Sequence, residues 1–366
     1  MTRITLLLAL SFAFVFSCTE SQSSKDATQA NALTDSLRYE QERHLKNIKQ
    51  LTWGGDNAEA YFSTDNQKLV FQATNPAWGT QCDQIYVMDA HKGLAPGETA
   101  QLISTGKGKT TCSFFLPGNE EIIFASTHHL VDSCPPSPRV VNGKYVWAIH
   151  PEFDLFVADL KGNILRQLTD EPGYDAEATV SPDGTKIVFT STRSGDLELW
   201  LMDIDGSNLR QVTNELGYDG GAFFTPDSKG LVFRASRPKT PEEVATYKEL
   251  LAQNLVQPTA LEIFVCDLDG SNMRQITNLG GANWAPYMHP NGQKIVFASN
   301  HHSQSGRQFN LFIINVDGTG LEQITFDEAF DSFPMFSYDG KYLVFASNRN
   351  NGGTRNTNVF IAEWID

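Results

Sequence analysis

Two histidine doublets are the residues whose types suggest chemistry most directly. They are His128-His129 and His301-His302. A neutral imidazole is a common metal ligand and also transfers protons near neutral pH, so His128 and His301 are candidate ligands of a divalent metal ion. A carboxylate at Glu59 or Glu177 would complete such a site. The pattern allows a metal-dependent hydrolase or lyase, although no H-E-x-x-H spacing accompanies the histidines. No other cofactor is expected.

Charged side chains recur at two equivalent positions along the chain. Carboxylates stand near the start of one type of predicted strand, at Glu59, Asp175, Glu177, Asp219 and Asp331. Basic groups stand just after the following strand, at Arg193, Arg237, Arg349, His128 and His301. Because consecutive antiparallel strands return to the same side, both positions should share one face. The predicted role is either ion pairing between neighbouring units or a charged ring that orients a bound partner.

Two long insertions interrupt the same predicted connection in different units. The first insertion, residues 129–152, is rich in proline and carries Tyr145 and Trp147. The second insertion, residues 237–260, predicts a short amphipathic helix over 240–253 that carries Tyr247. Each insertion either covers the core or supplies contact area for a ligand. Two on one face favour binding of a protein or a small ligand at that mouth, with Tyr145, Trp147 and Tyr247 in apolar contact.

The cysteines predict a lipid attachment and a disulfide. Val15-Phe16-Ser17-Cys18 follows a short apolar stretch and resembles the lipobox of bacterial lipoproteins, which implies that Cys18 is lipidated. Cys82, Cys112 and Cys134 all map near the mouth with the insertions. An oxidising compartment favours one disulfide among these three, with Cys112–Cys134 preferred and a zinc site as the alternative.

These side chains must be positioned by a repeated unit. The phrase SPDGTKIVFTST (181–192) has counterparts at 63–74, 116–127, 225–236, 289–300 and 337–348. Each combines a turn with a β-branched and aromatic run that ends near a phenylalanine. Two further phrases recur in step, typified by LWLMDIDGSN (199–208) and RQVT (210–213). Six units of four antiparallel strands without helical crossovers predict a six-bladed β-propeller.

The chain ends predict how the propeller closes. The sixth unit stops after its third strand, at Val359–Trp364, and an isolated strand over Ile48–Trp53 precedes the first unit. Pairing these two segments would remove two exposed sheet edges. A short helix over Leu33–Lys46 is expected to lead into the closing strand.

The combination of SPDGTKIVF (181–189), DIDG (203–206) and RQVT (210–213) resembles the TolB-type propeller repeat, also called PD40 or WD40-like. The resemblance covers about residues 48–366. TolB itself carries an α/β domain before its propeller, for which 19–47 is too short, so the role of TolB does not carry over. Similar propellers in pectate-fragment lyases hold a metal on the axis with several histidines, which keeps the enzyme alternative open.

The composition limits the compartment and the partners. The net charge of −15 disfavours nucleic acid and anionic membrane surfaces as partners, so membrane contact is expected through the N-terminal lipid only. The predicted organisation is a lipoprotein signal peptide over 1–17, a lipidated tether and short helix over 18–47, and the propeller over 48–366. Thr19 after the cysteine is not aspartate, and the lipoprotein sorting rule then implies the outer membrane, facing the periplasm.

Overall fold

A computed structural model describes residues 36–328 and 330–366. Within these residues, six four-stranded antiparallel sheets form the six blades of a propeller. The first strands of the blades are the innermost ones, and each packs on the first strand of the next blade around the ring. The predicted fold class is therefore confirmed. The signal peptide, Cys18 and most of the predicted tether lie outside the described residues.

The first two blades follow a closing strand, β1. Their strands up to the first insertion are β1 (Leu45–Gln50), β2 (Asp56–Phe62), β3 (Lys68–Thr74), β4 (Gln84–Asp89), β5 (Gln101–Leu102), β6 (Thr110–Phe115) and β7 (Glu121–Ser126), with a 3-10 turn at Pro76–Trp78. The first insertion adds β8 (Val140–Val141), β9 (Lys144–Tyr145) and β10 (Trp147–Ala148). Blade 2 is completed by β11 (Asp154–Asp159) and β12 (Ile164–Gln167). Blade 1 consists of β2–β5, and blade 2 of β6, β7, β11 and β12.

Blades 3 and 4 differ in the second insertion. Blade 3 contains β13 (Asp175–Val180), β14 (Lys186–Ser191), β15 (Glu198–Asp203) and β16 (Arg210–Gln211). Blade 4 begins with β17 (Asp219–Phe224) and β18 (Gly230–Ser236), after which the insertion adds helix α1 (Pro241–Leu251) and β19 (Leu255–Val256). It ends with β20 (Leu261–Asp267) and β21 (Arg274–Gln275).

Blades 5 and 6 complete the ring. Blade 5 contains β22 (Asn283–Met288), β23 (Lys294–Ser299), β24 (Asn310–Asn315) and β25 (Glu322–Gln323). Blade 6 contains β26 (Asp331–Phe336), β27 (Tyr342–Ser347) and β28 (Asn358–Trp364), and its fourth strand is β1. The register of that last pair sets Gln50 opposite Phe360. Because the two ends of the chain share one sheet, this blade joins the first repeat to the last.

The segment before β1 differs from the sequence prediction. Residues 36–44 form turns, and the strand already begins at Leu45, so the predicted helix is absent from this described stretch. The turns are held by Glu42, whose carboxylate lies 2.9 Å from the Arg349 guanidinium of blade 6. Both side chains are almost fully buried. A buried ion pair, rather than a helical apolar face, fixes this segment.

The repeated sequence phrases have direct structural causes. The phenylalanine of every second strand is fully buried between blades, at Phe71, Phe124, Phe189, Phe233, Phe297 and Phe345. In each blade, the threonine or serine hydroxyl at the end of the segment equivalent to RQVT (210–213) accepts a hydrogen bond from a backbone N–H of the neighbouring third strand. One example is Thr213 with Leu199, at 2.9 Å. Each repeat therefore combines one apolar anchor with one hydroxyl that fixes the outer strand.

The two insertions contact one another. Strand β10 pairs with β19, so that Trp147 lies opposite Val256. Helix α1 begins with a capping box, because the Thr240 hydroxyl accepts from the Glu243 N–H while the Glu243 carboxylate accepts from the Thr240 N–H. No described helix combines the length and the apolar character needed to cross a bilayer.

Candidate functional site

A β-bulge in the first strand of every blade forms the inner ring of the propeller. The bulged residues have positive φ and all line one central cavity: Glu59, Cys112, Glu177, Gly221, Ala285 and Phe333. At the bulge the strand loses its regular pairing, as between Ala176 and Thr179. Alignment of the repeats placed Glu59 and Glu177 near the start of this type of strand. The bulge turns their side chains toward the axis.

The central cavity has a volume of about 1090 Å³. Its base is the inner ring, and part of its wall is the first insertion through residues 137–139 and 145–150. The loops between the second and third strands of blades 5 and 6 complete the opening, through residues 305–308 and 348–357. The first insertion therefore bounds the cavity, and its role in binding stays a prediction.

Glu177 and Arg234 form a buried ion pair at the base of the cavity. Their side chains are 10% and 8% exposed, and the charged atoms are 2.7 Å apart. The Glu177 carboxylate also accepts hydrogen bonds from the Tyr218 hydroxyl at 2.6 Å and from the Gly221 N–H at 2.7 Å. Burial raises the pKa of Glu177, but the charge of Arg234 and these hydrogen bonds outweigh it and hold the pKa below its ordinary value. This pair is a fixed dipole with the carboxylate ionised.

Glu59 lies in the same ring, but no described lysine or arginine forms an ion pair with it. Burial is the main cause that raises its pKa to about 7, although a hydrogen bond with the Cys112 thiol opposes the shift. The thiol itself has a raised pKa because it is buried beside this carboxyl and Glu177. Glu59 is therefore able to donate or accept a proton near neutral pH, whereas Cys112 remains a neutral thiol.

Aromatic side chains cover much of the cavity wall. Trp147 of the first insertion packs on Trp284 of blade 5, with ring centroids 5.1 Å apart. The Arg234 guanidinium lies 5.6 Å from the centroid of the Trp147 ring. Trp147 is thus half-buried against the cavity base, while Tyr145 is exposed at the opening and accepts a hydrogen bond from the Trp147 indole at 3.1 Å. Both residues line the cavity, and their contact with a ligand stays a prediction.

The three predicted aspartates and the three predicted arginines form ion pairs with each other, each within a single blade. Asp175 pairs with Arg193, Asp219 with Arg237, and Asp331 with Arg349. In each pair the acid begins the first strand, and the arginine follows the second strand of the same blade. None of these six residues lines the central cavity. The expectation of pairing between neighbouring units is wrong, because the end of strand two lies beside the start of strand one.

His128 and His301 occupy the arginine position in blades 2 and 5. Each ring nitrogen Nδ1 contacts a serine of its own blade, Ser126 at 2.8 Å and Ser299 at 2.7 Å. Each ring also packs on a phenylalanine, with centroids 4.5 Å and 4.6 Å apart. Neither histidine lines the cavity, and within the described residues no group of three His, Cys, Asp or Glu side chains is arranged to hold a metal ion. The geometry therefore does not support the axial metal site.

Two other predicted site features also lie elsewhere. Tyr247 of α1 is buried, and its hydroxyl donates to Asp196 of blade 3, so it fixes the second insertion rather than lining the cavity. Among the residues that the structure describes, Cys82, Cys112, Cys134 and Cys266 form no disulfide. Cys112 faces the cavity beside Glu59, whereas Cys134 is exposed and interacts with Cys82. The preferred pair Cys112–Cys134 is therefore not brought together.

Sequence reasoning missed Arg234 and Tyr218. Arg234 could have been found because it directly follows the repeated phenylalanine of the second strand. The residues at the same position in blades 1 and 3, Gln72 and Thr190, also reach the inner ring. Three further cavity residues, Arg139, Arg307 and Arg355, lie in irregular loops, where the repeat gives no alignment.

Comparisons with known proteins agree with this architecture. The family described as "TolB beta propeller domain" (PD40) matches residues 144–254 and 251–356, which is more than half of the chain. A putative TolB from Agrobacterium tumefaciens has a TM-score of 0.54 at 17% identity, covering 85% of this chain and 91% of that protein. TolB from Acinetobacter baumannii has a TM-score of 0.53 at 18% identity, covering 82% and 64% respectively.

The solved structures of similar fold include an enzyme. A gluconolactonase from Xanthomonas campestris has a TM-score of 0.54 at 13% identity, covering 88% of this chain and 91% of that protein. A search of curated proteins found no match. At these identities the solved structures establish similarity of fold alone.

Proposed function

Because this chain belongs to the TolB β-propeller family, we propose that it binds a small ligand in the central cavity while a lipid on Cys18 holds it in the cell envelope. The observation that carries the binding proposal is the cavity itself. Its volume of about 1090 Å³ is close to the upper end of typical small-molecule sites and is far too small for a folded protein. The sequence left a protein partner and a small ligand open, and the size of the cavity favours the small ligand.

The base of the cavity supports recognition of a partly polar molecule. Trp147 and Trp284 offer apolar ring edges, and the Glu177–Arg234 pair offers both a hydrogen-bond donor and an acceptor. Glu59 adds a group that changes protonation near neutral pH. A few fixed polar groups among aromatic walls give a ligand one orientation.

The opening favours an anionic group on that ligand. Arg139, Arg307 and Arg355 are exposed around it, and their guanidinium groups form no hydrogen bond or ion pair within the part of the chain that the structure describes. The exposed carboxylates that line the same opening are Asp56 and Glu328. This local excess of arginine contrasts with the net charge of −15 of the whole chain. Guanidinium groups bind carboxylates and phosphates in a bidentate manner, so we expect a small organic anion.

A screen of small molecules by thermal shift tests the proposal. The full chain is mixed with matched sets of organic acids, sugar acids and their neutral analogues, and hits are confirmed by calorimetric titration. We expect acids to bind, and binding to weaken by about tenfold or more in Trp147→Ala. The control is Trp53→Ala, because Trp53 lies outside the cavity with its indole bonded to the Leu94 carbonyl. Equal affinity of Trp147→Ala and the parent chain would exclude this cavity as the site.

The arginines provide a second test of ligand charge. Replacing Arg307 and Arg355 together by glutamine should weaken binding of an acid and reduce its salt dependence. Hits that are mostly neutral, with affinities that salt and this double variant leave unchanged, would contradict the anionic class. Capture of a protein with no small-molecule hit would favour a protein partner instead.

The envelope location rests on the lipobox resemblance and is tested separately. We expect the full chain to incorporate labelled palmitate and to sediment with outer membranes, whereas Cys18→Ala should do neither. A chain that stays in the soluble fraction without label would contradict the anchor, and it would leave the cavity proposal untouched.

A further inference from the structure

Two thiols meet where the first insertion leaves blade 2. Cys82 is buried in the loop between β3 and β4, and its thiol donates to the Gly108 carbonyl at 3.1 Å. Cys134 is exposed in the first insertion, with its Sγ 3.9 Å from the carbonyl oxygen of Gln81, the residue before Cys82. The two thiols are close enough to interact electrostatically. One sulfur is therefore accessible from solvent and the other lies directly behind it.

The backbone around the thiols is already fixed in this arrangement. The Gly108 N–H donates to the Asp132 carbonyl at 2.8 Å, so the start of the insertion runs alongside the segment that also binds Cys82. The Lys109 amine lies 2.9 Å from Asp83 and interacts electrostatically with both sulfurs. A neighbouring ammonium group stabilises the thiolate that thiol–disulfide exchange requires.

We propose that Cys82 and Cys134 are joined by a disulfide that ties the first insertion to blade 1. The thiolate of the exposed Cys134 attacks a disulfide donor, such as glutathione disulfide or an oxidised dithiol protein, and releases one donor thiol. The thiolate of Cys82 then attacks the Sγ of Cys134 in this mixed disulfide and expels the second donor thiol. The two protein thiols lose two electrons and two protons, and the donor disulfide is reduced to two thiols.

The disulfide would fix the insertion at both ends. Cys134 would attach its beginning to blade 1, and the pairing of Trp147 with Val256 already attaches its end to the second insertion. Burial and the neighbouring Cys134 raise the pKa of Cys82 to about 12, so the exposed Cys134 is the thiol that first attacks the donor. This order of reactivity favours the intramolecular disulfide over two mixed disulfides. The inference does not depend on the proposed ligand.

Peptide mapping under non-reducing conditions tests the disulfide. The full chain is equilibrated with glutathione disulfide, blocked with iodoacetamide in denaturant, digested and analysed by mass spectrometry. We expect a peptide that links Cys82 to Cys134 and disappears after reduction, while Cys112 is alkylated. Detection of Cys112 linked to Cys134, or complete alkylation of Cys82 and Cys134, would overturn the proposal.

Stability measurements provide an independent readout. Closing a loop of this length is expected to raise the melting temperature of the oxidised chain by about 5 °C over the reduced chain. Cys134→Ser should abolish this difference, and because Cys134 is exposed, the variant should fold. Cys112→Ser is the matched control and should keep the difference. A reductant effect that persists in Cys134→Ser would contradict the assignment.

Discussion

Replacing Glu59 by glutamine should make the propeller more stable at pH 8 than at pH 5.5, relative to the parent chain. Glu59 has its pKa raised from an ordinary value of 4.5 to about 7 in the folded protein, mainly by burial. Between pH 4.5 and pH 7 the folded chain keeps a proton on Glu59 that the unfolded chain has lost. The free energy of unfolding of the parent chain therefore falls as the pH rises through this window.

The magnitude follows from the size of the shift. Each unit of pKa difference corresponds to about 1.4 kcal/mol, so the full loss is about 3 kcal/mol. About 2 kcal/mol of that loss falls between pH 5.5 and 8. Glutamine keeps the shape of the side chain but does not titrate. Other acids with raised pKa values, such as Glu198, are present in both chains, and their effects cancel in the difference.

Urea unfolding of both chains at the two pH values provides the measurement. Glu177→Gln is the matched control, because Glu177 holds the equivalent position in blade 3 but has a lowered pKa and an arginine partner. This control should be destabilised by about 3 kcal/mol at both pH values, because it leaves Arg234 buried without a counter-charge. A constant difference between Glu59→Gln and the parent chain across the two pH values would refute the raised pKa.

Three further substitutions test the structural roles of the repeat. Thr213→Val removes the hydroxyl that accepts from the Leu199 N–H, and it should cost about 1–3 kcal/mol in urea unfolding; no change would contradict this role. Phe189→Ala should cost about 3–5 kcal/mol, measured in the same way, and a cost below 1 kcal/mol would show that the anchor is not packed. Gly221→Ala places a Cβ 1.8 Å from the Arg234 guanidinium, so it should displace Arg234 and weaken ligand binding in calorimetry, and unchanged affinity would exclude Arg234 from the site.

The fold could be predicted from the sequence because its information is local and repeated. Each blade carries its own turn, buried phenylalanine and outer threonine or serine, so six weak signals support one another. The partner of Gln50 lies 310 residues further along the chain, at Phe360, and was still predictable because only one strand was missing from the last blade. The helix expected before β1 was not found, since Glu42 binds Arg349 and no local pattern encodes that contact.

The site was less predictable for two physical reasons. The repeat aligned Glu59 and Glu177 correctly, but strand alternation does not indicate that a bulge turns them inward. The insertions have no repeat to align with, so the contact of Trp147 with Trp284 and the burial of Tyr247 depend on long-range packing. Local spacing gives positions along a strand, whereas these contacts depend on how separate blades meet.

The pairing of β10 with β19 has a consequence for entry into the propeller. It connects the insertion of blade 2 to the insertion of blade 4. The hydrogen bond from the Tyr247 hydroxyl to Asp196 also attaches the second insertion to blade 3. Neither loop is free to swing away while the other stays closed. Admission of a ligand should therefore be a single cooperative event, in which the amide hydrogens of Ile149 and Val256 exchange with solvent at one common rate.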